Sequence, residues 1–185
     1  MSTVFTIGHS TRSSDEFLNA LTGYGITALV DVRSFPMSRR LPHFNREVLE
    51  LELPRCDVRY VWMKELGGRR KKIRNDSPNT ALRNESFRNY ADYMMTDEFA
   101  EGIGRLLQIA EQNKTAYMCA ERVYFQCHRM LISDYLTAHG HTVLHIDDEK
   151  HPLREHKLMA EARLVDGKLV YDGGIGGTWP LTFGS

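Results

Sequence analysis

Apolar residues recur along the chain in short runs and at helical spacing by turns, a pattern of strands separated by helical crossovers. Val4 to Ile7 predicts a first strand, and Gly8-His9-Ser10 a turn after it. Ser13-Ser14-Asp15-Glu16 has capping-box spacing, and Phe17, Leu18, Leu21 and Tyr24 follow at helical intervals, with Gly23 and Gly25 closing the helix. Ile26 to Val32 predicts a second strand, broken at Phe35-Pro36; Asn45 caps a short helix through Leu51, and Val58 to Trp62 alternates as a third strand. Ala81 to Met95 and Thr96 to Gln112 predict two helices, the second weakened by Gly102 and Gly104. Thr115 to Met118 is a short apolar strand, Met130, Leu131, Tyr135 and Leu136 carry a helical pattern that Gly140 ends, and Thr142 to Ile146 is a fifth strand. Connections of this length favour parallel pairing through helices. The expected fold is therefore α/β, a single three-layer domain over residues 1–185 with a mainly parallel sheet of the Rossmann-like or flavodoxin-like kind. Its end, about 164–185, reads as a hairpin turning at Asp166-Gly167 and a flexible tail through Gly173-Gly174-Ile175-Gly176-Gly177.

Composition narrows the class without changing the fold. With 42% hydrophobic and 26% charged residues the chain suits one soluble globular core. No apolar run reaches membrane-spanning length, and the N-terminus lacks a basic region followed by an apolar one, so the expected location is cytoplasmic and no membrane partner is expected. Three cysteines, Cys56, Cys119 and Cys127, are too few and odd in number for a disulfide framework and are expected to be reduced thiols.

Charge is balanced overall but not locally. Residues 33–74 hold twelve Lys and Arg against five Asp and Glu, peaking at Arg69-Arg70-Lys71-Lys72-Ile73-Arg74 just after Leu66-Gly67-Gly68. A Gly pair followed by a run of cations predicts either a loop that meets phosphates or a solvated charged loop.

The chemistry concentrates after the fourth strand. Tyr117-Met118-Cys119-Ala120-Glu121 and Cys127-His128-Arg129 read as a buried strand ending in a thiol, a turn, and the start of a helix, where backbone N–H groups bind anions and lower a thiol pKa. In a parallel sheet His9 and Ser10 end the first strand, Asp31 and Arg33 the second, Cys119 and Glu121 the fourth, and His145 lies near the end of the fifth, so all four sets come to one edge. Asp31 and Arg33 are expected to point apart and not to form an ion pair. Taken singly, Cys119 is better explained as a small buried hydrophobe, and His145, between Leu144 and Ile146, as a core imidazole with one hydrogen bond.

The motifs Thr6-Ile7-Gly8-His9-Ser10, Asp31-Val32-Arg33-Ser34 with Pro36 and Ser38, Phe44-Asn45, Leu66-Gly67-Gly68, Cys119-Ala120-Glu121 with Cys127-His128-Arg129, and Glu155-His156, in that order, resemble the family called domain of unknown function 488. The resemblance spans nearly the whole chain and departs at Val123-Tyr124-Phe125, where a more polar stretch with Pro is expected. It implies a compact α/β domain with a shared polar site, and no particular reaction.

On these grounds the candidate catalytic residues are Cys119, Glu121, His9, Asp31 and Arg33, and the candidate substrate-binding residues are Ser10, Ser34, Arg39, Gly67, Gly68, Arg69, Cys127, His128, Arg129 and His156. The leading expectation is an enzyme acting on a phosphate-bearing, nucleotide or nucleic-acid-related substrate, with Cys119 as a thiolate nucleophile and the reaction a hydrolysis or transfer. A faint likeness to rhodanese and cysteine phosphatases stops at position 125, which is Phe125, so no Cys-x5-Arg loop follows Cys119. A second expectation is a binding module for an anionic small molecule, nucleotide or nucleic acid, with Arg39, Arg40 and Arg69 to Lys72 holding phosphates and Phe35, Phe44, Tyr60 or Trp62 stacking bases. A third, metal binding by Cys119, Cys127 and a histidine, is disfavoured because seven residues separate the cysteines, outside finger spacing; no metal ligand is assigned, and no cofactor is named by any motif.

Overall fold

A computed structural model of the chain describes residues 1–148 and 150–173; the expected Gly-rich tail from residue 174 onward lies outside the described residues. Six strands form one sheet in the order β3-β2-β4-β1-β5-β6. The first five, β1 (Thr3–Gly8), β2 (Ala28–Asp31), β3 (Arg59–Trp62), β4 (Thr115–Cys119) and β5 (Thr142–Ile146), are mutually parallel. A two-residue strand, β6 (Arg154–Glu155), pairs antiparallel with β5. The parallel centre is apolar on both faces, as sheets covered on both sides must be: β2 and β4 are buried throughout.

Alternation along the strands divides the core in two. Phe5, Ile7, Leu29, Ala116, Met118 and Ile146 pack under helices α1 (Ser14–Gly23) and α2 (Arg46–Glu52). Val4, Val30, Val32, Tyr117, Cys119 and Val143 pack under α3 (Glu85–Tyr93), α4 (Asp97–Gln112) and α5 (Arg129–Ala138). The result is the expected three-layer α/β arrangement. α1 begins where the sequence places it: the Ser13 hydroxyl accepts the Glu16 N–H and the Glu16 carboxylate accepts the Ser13 N–H, a complete capping box.

The helix expected from Ala81 starts only at Glu85, because Asn84 caps it by accepting the Phe87 N–H. Ala81 and Leu82 are used elsewhere, donating to Tyr171 O and Asn79 O. β7 (Ala162–Val165) and β8 (Lys168–Tyr171) form the expected hairpin, with Asp166 and Gly167 both at positive φ (49° and 76°), the geometry of a type I′ turn. Among the described residues no helix is long and apolar enough to cross a membrane.

One topological feature positions the site. β1 and β4 are neighbours, yet the chain leaves β1 through α1 on one face and leaves β4 through α5 on the other. Connections that diverge to opposite faces open a crevice at the carboxyl ends of such a pair.

Candidate functional site at the strand ends

The crevice is built by close backbone approach. Gly8 pairs with Cys119 at the end of β1, and the ladder continues past the strand: His9 N–H donates to Cys119 O and Ser10 N–H to Ala120 O, both at 2.9 Å. A Cβ at Gly8 would stand 1.8 Å from Glu121 O and 2.7 Å from its carbonyl carbon, so only glycine lets these segments touch. Ser10 then takes a left-handed conformation (φ 51°), a costly one for a non-glycine residue, and the chain turns out toward α1.

His9 is held on every side. Its ring stacks on Phe44 at 4.1 Å, its Nδ1–H donates to Ser10 O at 2.9 Å, and its Nε2 accepts from Arg33 Nη1 at 3.3 Å. Burial first, and then the Arg33 guanidinium, lower its pKa to about 4 against the opposing Ser10 carbonyl, so the imidazole is neutral at physiological pH.

Asp31 and Arg33 do pair, against expectation. Residues two apart in extended chain point the same way, and Arg33 lies just past the end of β2, where its side chain folds back. Arg33 Nε donates to both Asp31 oxygens at 2.9 and 3.0 Å and Nη2 to Oδ2 at 2.5 Å, while the Asp31 carboxylate also accepts the Arg33 N–H and the Tyr60 hydroxyl. Arg33 Nη2 further donates to Phe44 O. With Nη1 on His9, one of the five guanidinium protons has no partner among the described residues.

Around this frame lies a cleft of about 410 Å³, walled by His9, Ser10, Arg33, Ser38, Glu121 and Arg122. Phe35 and Met37, 65% and 73% exposed, form its apolar rim. A second hollow of about 350 Å³ shares Ser10, Thr11 and Arg122 and adds Arg12 and Lys150. Arg12 is buried and holds the turn, donating to Gly8 O and Asp147 O.

Cys119 does not line this cleft. It belongs to a second cluster on the α5 face of β4, with Cys127 and His128, and all three are buried. His128 Nε2–H donates to Val32 O at 2.9 Å, which leaves Nδ1 as a lone pair 3.9 Å from Cys119 Sγ. The Cys127 thiol hydrogen-bonds Cys119, the Glu121 and Ala120 N–H groups add to it against burial, and together they lower the Cys119 pKa to about 7; the same contact, with burial, pushes Cys127 up to about 12. The three donor atoms lie within 4.8 Å of one another, close enough for one metal ion. Arg129, 1% exposed, fastens the intervening loop by donating to Thr6 Oγ1, Glu121 O and Arg122 O.

The remaining sequence-derived candidates are dispersed. The Ser34 hydroxyl accepts the Arg69 N–H at 2.9 Å, and Gly67 and Gly68 are packing glycines: a Cβ would meet Ser34 Oγ at 2.6 Å and the His128 ring at 2.3 Å respectively. Arg39 is exposed, and Arg69 stands 5.8 Å over the Phe35 ring. In the basic loop Arg70 is spent on structure, lying 3.6 Å over Tyr93 and donating to Lys64, Glu65 and Gly67 carbonyls. His156 joins a different buried network, donating from Nε2 to Asp134 Oδ1 at 2.9 Å and accepting at Nδ1 from His145 Nε2 at 3.0 Å. Of the four aromatics expected to stack bases only Phe35 is exposed: Phe44 is buried under His9, Tyr60 serves Asp31, and Trp62 donates to Arg33 O beneath the Arg46 guanidinium. Arg122 and Met37, which no motif marks, are brought to the cleft by folding alone.

Fold and site together define a parallel α/β domain with a polar cleft at its strand ends and a buried thiol–imidazole cluster beside it. Residues 13–136, well over half of the chain, match the family described as Domain of unknown function DUF488, and the chain belongs to that family. Comparisons with curated proteins and with solved structures returned no match.

Proposed function

We propose that the chain is an enzyme acting on a phosphate-bearing small molecule of nucleotide size, bound in the strand-end cleft. The observation that carries this reading is the cleft's two-part lining: the exposed apolar side chains of Phe35 and Met37 together with the polar Ser10, Arg33 and Arg122. That combination suits a ligand with one flat apolar end and one anionic end, and the cleft volume falls within the range of small-molecule sites. Arg122 and the spare Arg33 Nη1 proton meet the phosphate, Phe35 stacks the base, and the Ser10 hydroxyl orients the anion. His9 keeps Arg33 aimed. Glu121 is the group in the wall suited to take up or deliver a proton at the reacting bond. Cys119 receives no part in this reaction, since its sulfur faces the other side of the sheet.

Titration calorimetry with nucleoside mono- and diphosphates, inorganic phosphate and a short single strand tests the reading. Arg122→Gln is expected to weaken nucleotide binding about tenfold or more, as loss of a charged hydrogen bond does. Glu121→Gln is expected to leave affinity in place and lower turnover about 100-fold. If no phosphate-bearing compound in the panel binds in an Arg122-dependent way, the proposal is wrong. Binding without turnover supports the non-catalytic module, and preference for the single strand with a steep salt dependence points to nucleic acid.

A further inference from the structure

We infer that Cys119, Cys127 and His128 form a Zn²⁺ site, with the fourth coordination position left to water or an exogenous ligand. The inference stands on the donor geometry and is independent of the nucleotide reading. The Cys119 and Cys127 sulfurs and a His128 ring nitrogen lie within 4.8 Å of one another, and the 3.9 Å from Cys119 Sγ to His128 Nδ1 is within about 0.4 Å of what two ligands of one tetrahedral zinc require: bonds of about 2.3 Å to sulfur and about 2.0 Å to nitrogen at the tetrahedral angle place such atoms about 3.5 Å apart.

The surrounding groups are those that support metal ligands. His128 Nε2–H is tied to the Val32 carbonyl, which fixes the tautomer and aims the Nδ1 lone pair at the sulfurs. The Arg129 N–H points at Cys127 Sγ at 3.4 Å, and the Ala120 and Glu121 N–H groups stabilise Cys119 as an anion. Gly68 lies against the imidazole so tightly that any side chain there would displace it, and the Tyr90 ring packs 5.2 Å away, so the ring has little freedom to turn from this pose. Donor chemistry selects the ion. Two thiolates and an imidazole, with no carboxylate among the three, suit a thiophilic cation and not Mg²⁺ or Ca²⁺. On binding, each thiol releases its proton to solvent, and the two thiolate charges cancel the charge of Zn²⁺, so the buried complex carries no net charge. Cysteine spacing conceals the site because the ligands come from a strand end and from the two residues immediately before the next helix, and the fold supplies the proximity that finger spacing supplies elsewhere.

The test uses the full chain, reduced and stripped with a chelator. Equilibrium dialysis followed by elemental analysis is expected to show one Zn²⁺ per chain and no Mg²⁺. Co²⁺ is expected to give a sulfur-to-metal charge-transfer band together with the intense visible bands of tetrahedral cobalt. Cys127→Ser and His128→Gln should each weaken Zn²⁺ binding about 100-fold or more, beyond the effect of losing an outer-shell partner, while Cys56→Ser leaves it unchanged. A second measurement does not depend on those variants folding: in the wild-type chain Zn²⁺ should slow iodoacetamide labelling of Cys119 and Cys127 but not of exposed Cys56. Absence of stoichiometric Zn²⁺, a cobalt spectrum without thiolate charge transfer, or equal protection of all three cysteines would each overturn the inference. None of these readouts involves a nucleotide, so they can fail while the cleft reading survives, and the reverse.

Discussion

Acid should destabilise this protein well before its carboxylates protonate, because two buried histidines are held neutral. In the Asp134–His156–His145 chain the carboxylate takes the His156 Nε2–H, His156 Nδ1 accepts from His145 Nε2, and His145 Nδ1 finds no partner among the described residues. A proton added at that nitrogen would be buried without an acceptor, under the Tyr124 ring stacked at 3.6 Å and close to Arg129 and Arg154. Burial first, and then His156, Arg129 and Arg154, lower the His145 pKa from 6.5 to about 3, while His9 falls to about 4. The unfolded chain takes up both protons as pH falls through 6.5 and the folded chain cannot, so stability is full above that value and is lost through the window down to about pH 3. Each histidine is worth about 2 kcal/mol at about pH 5, and the pair about 4 kcal/mol, a large share of a typical stability of about 5–15 kcal/mol. Urea unfolding followed by tryptophan fluorescence between about pH 5 and pH 8 measures this directly. The variant His145→Gln lowers stability at pH 8 but removes one titrating group, so its pH-dependent loss should be smaller than the wild type's by about 2 kcal/mol. Equal losses in the two proteins, or a flat wild-type profile, would falsify the assignment of a neutral buried His145.

Two further outcomes bear on the architecture of the crevice. Gly8→Ala places a methyl 1.8 Å from Glu121 O and should cost several kcal/mol, about 3 or more, with a matching fall in melting temperature; a near-neutral effect would mean that β1 and the Cys119–Arg122 loop are not in contact. Arg129→Met removes the donors that satisfy Glu121 O, Arg122 O and Thr6 Oγ1 and should destabilise by about 3 kcal/mol, with faster amide exchange in residues 120–126; unchanged exchange would show that the loop is held by other means.

Hydrophobic periodicity by itself located the five parallel strands and the helices between them, but not β6, because strands buried on both faces must be apolar runs and crossovers must be long enough to hold a helix, whereas the two residues of β6 are exposed. Local signals also marked the Ser13 cap and the Asp166-Gly167 turn, whereas Asn45 takes the N-cap position of α2 without capping it, its side chain accepting the Ser38 N–H instead. Periodicity brought His9, Arg33, Cys119 and Glu121 to one edge of the sheet, since a parallel sheet has all its carboxyl ends together. Which side of that edge each residue occupies was decided only in three dimensions. Cys119 ends a strand and faces the helix on one side, whereas Glu121, two residues later, has left the strand and faces the cleft, so the period of two no longer relates them. The Asp31–Arg33 pair, the tautomer of His128 set by Val32 O, and the Asp134–His156–His145 chain join residues from 2 to 96 positions apart along the sequence. A hydrogen bond depends on angstroms and angles that no residue pattern encodes, and here strand order, a glycine at a close approach and the backbone carbonyls beside them set those angstroms.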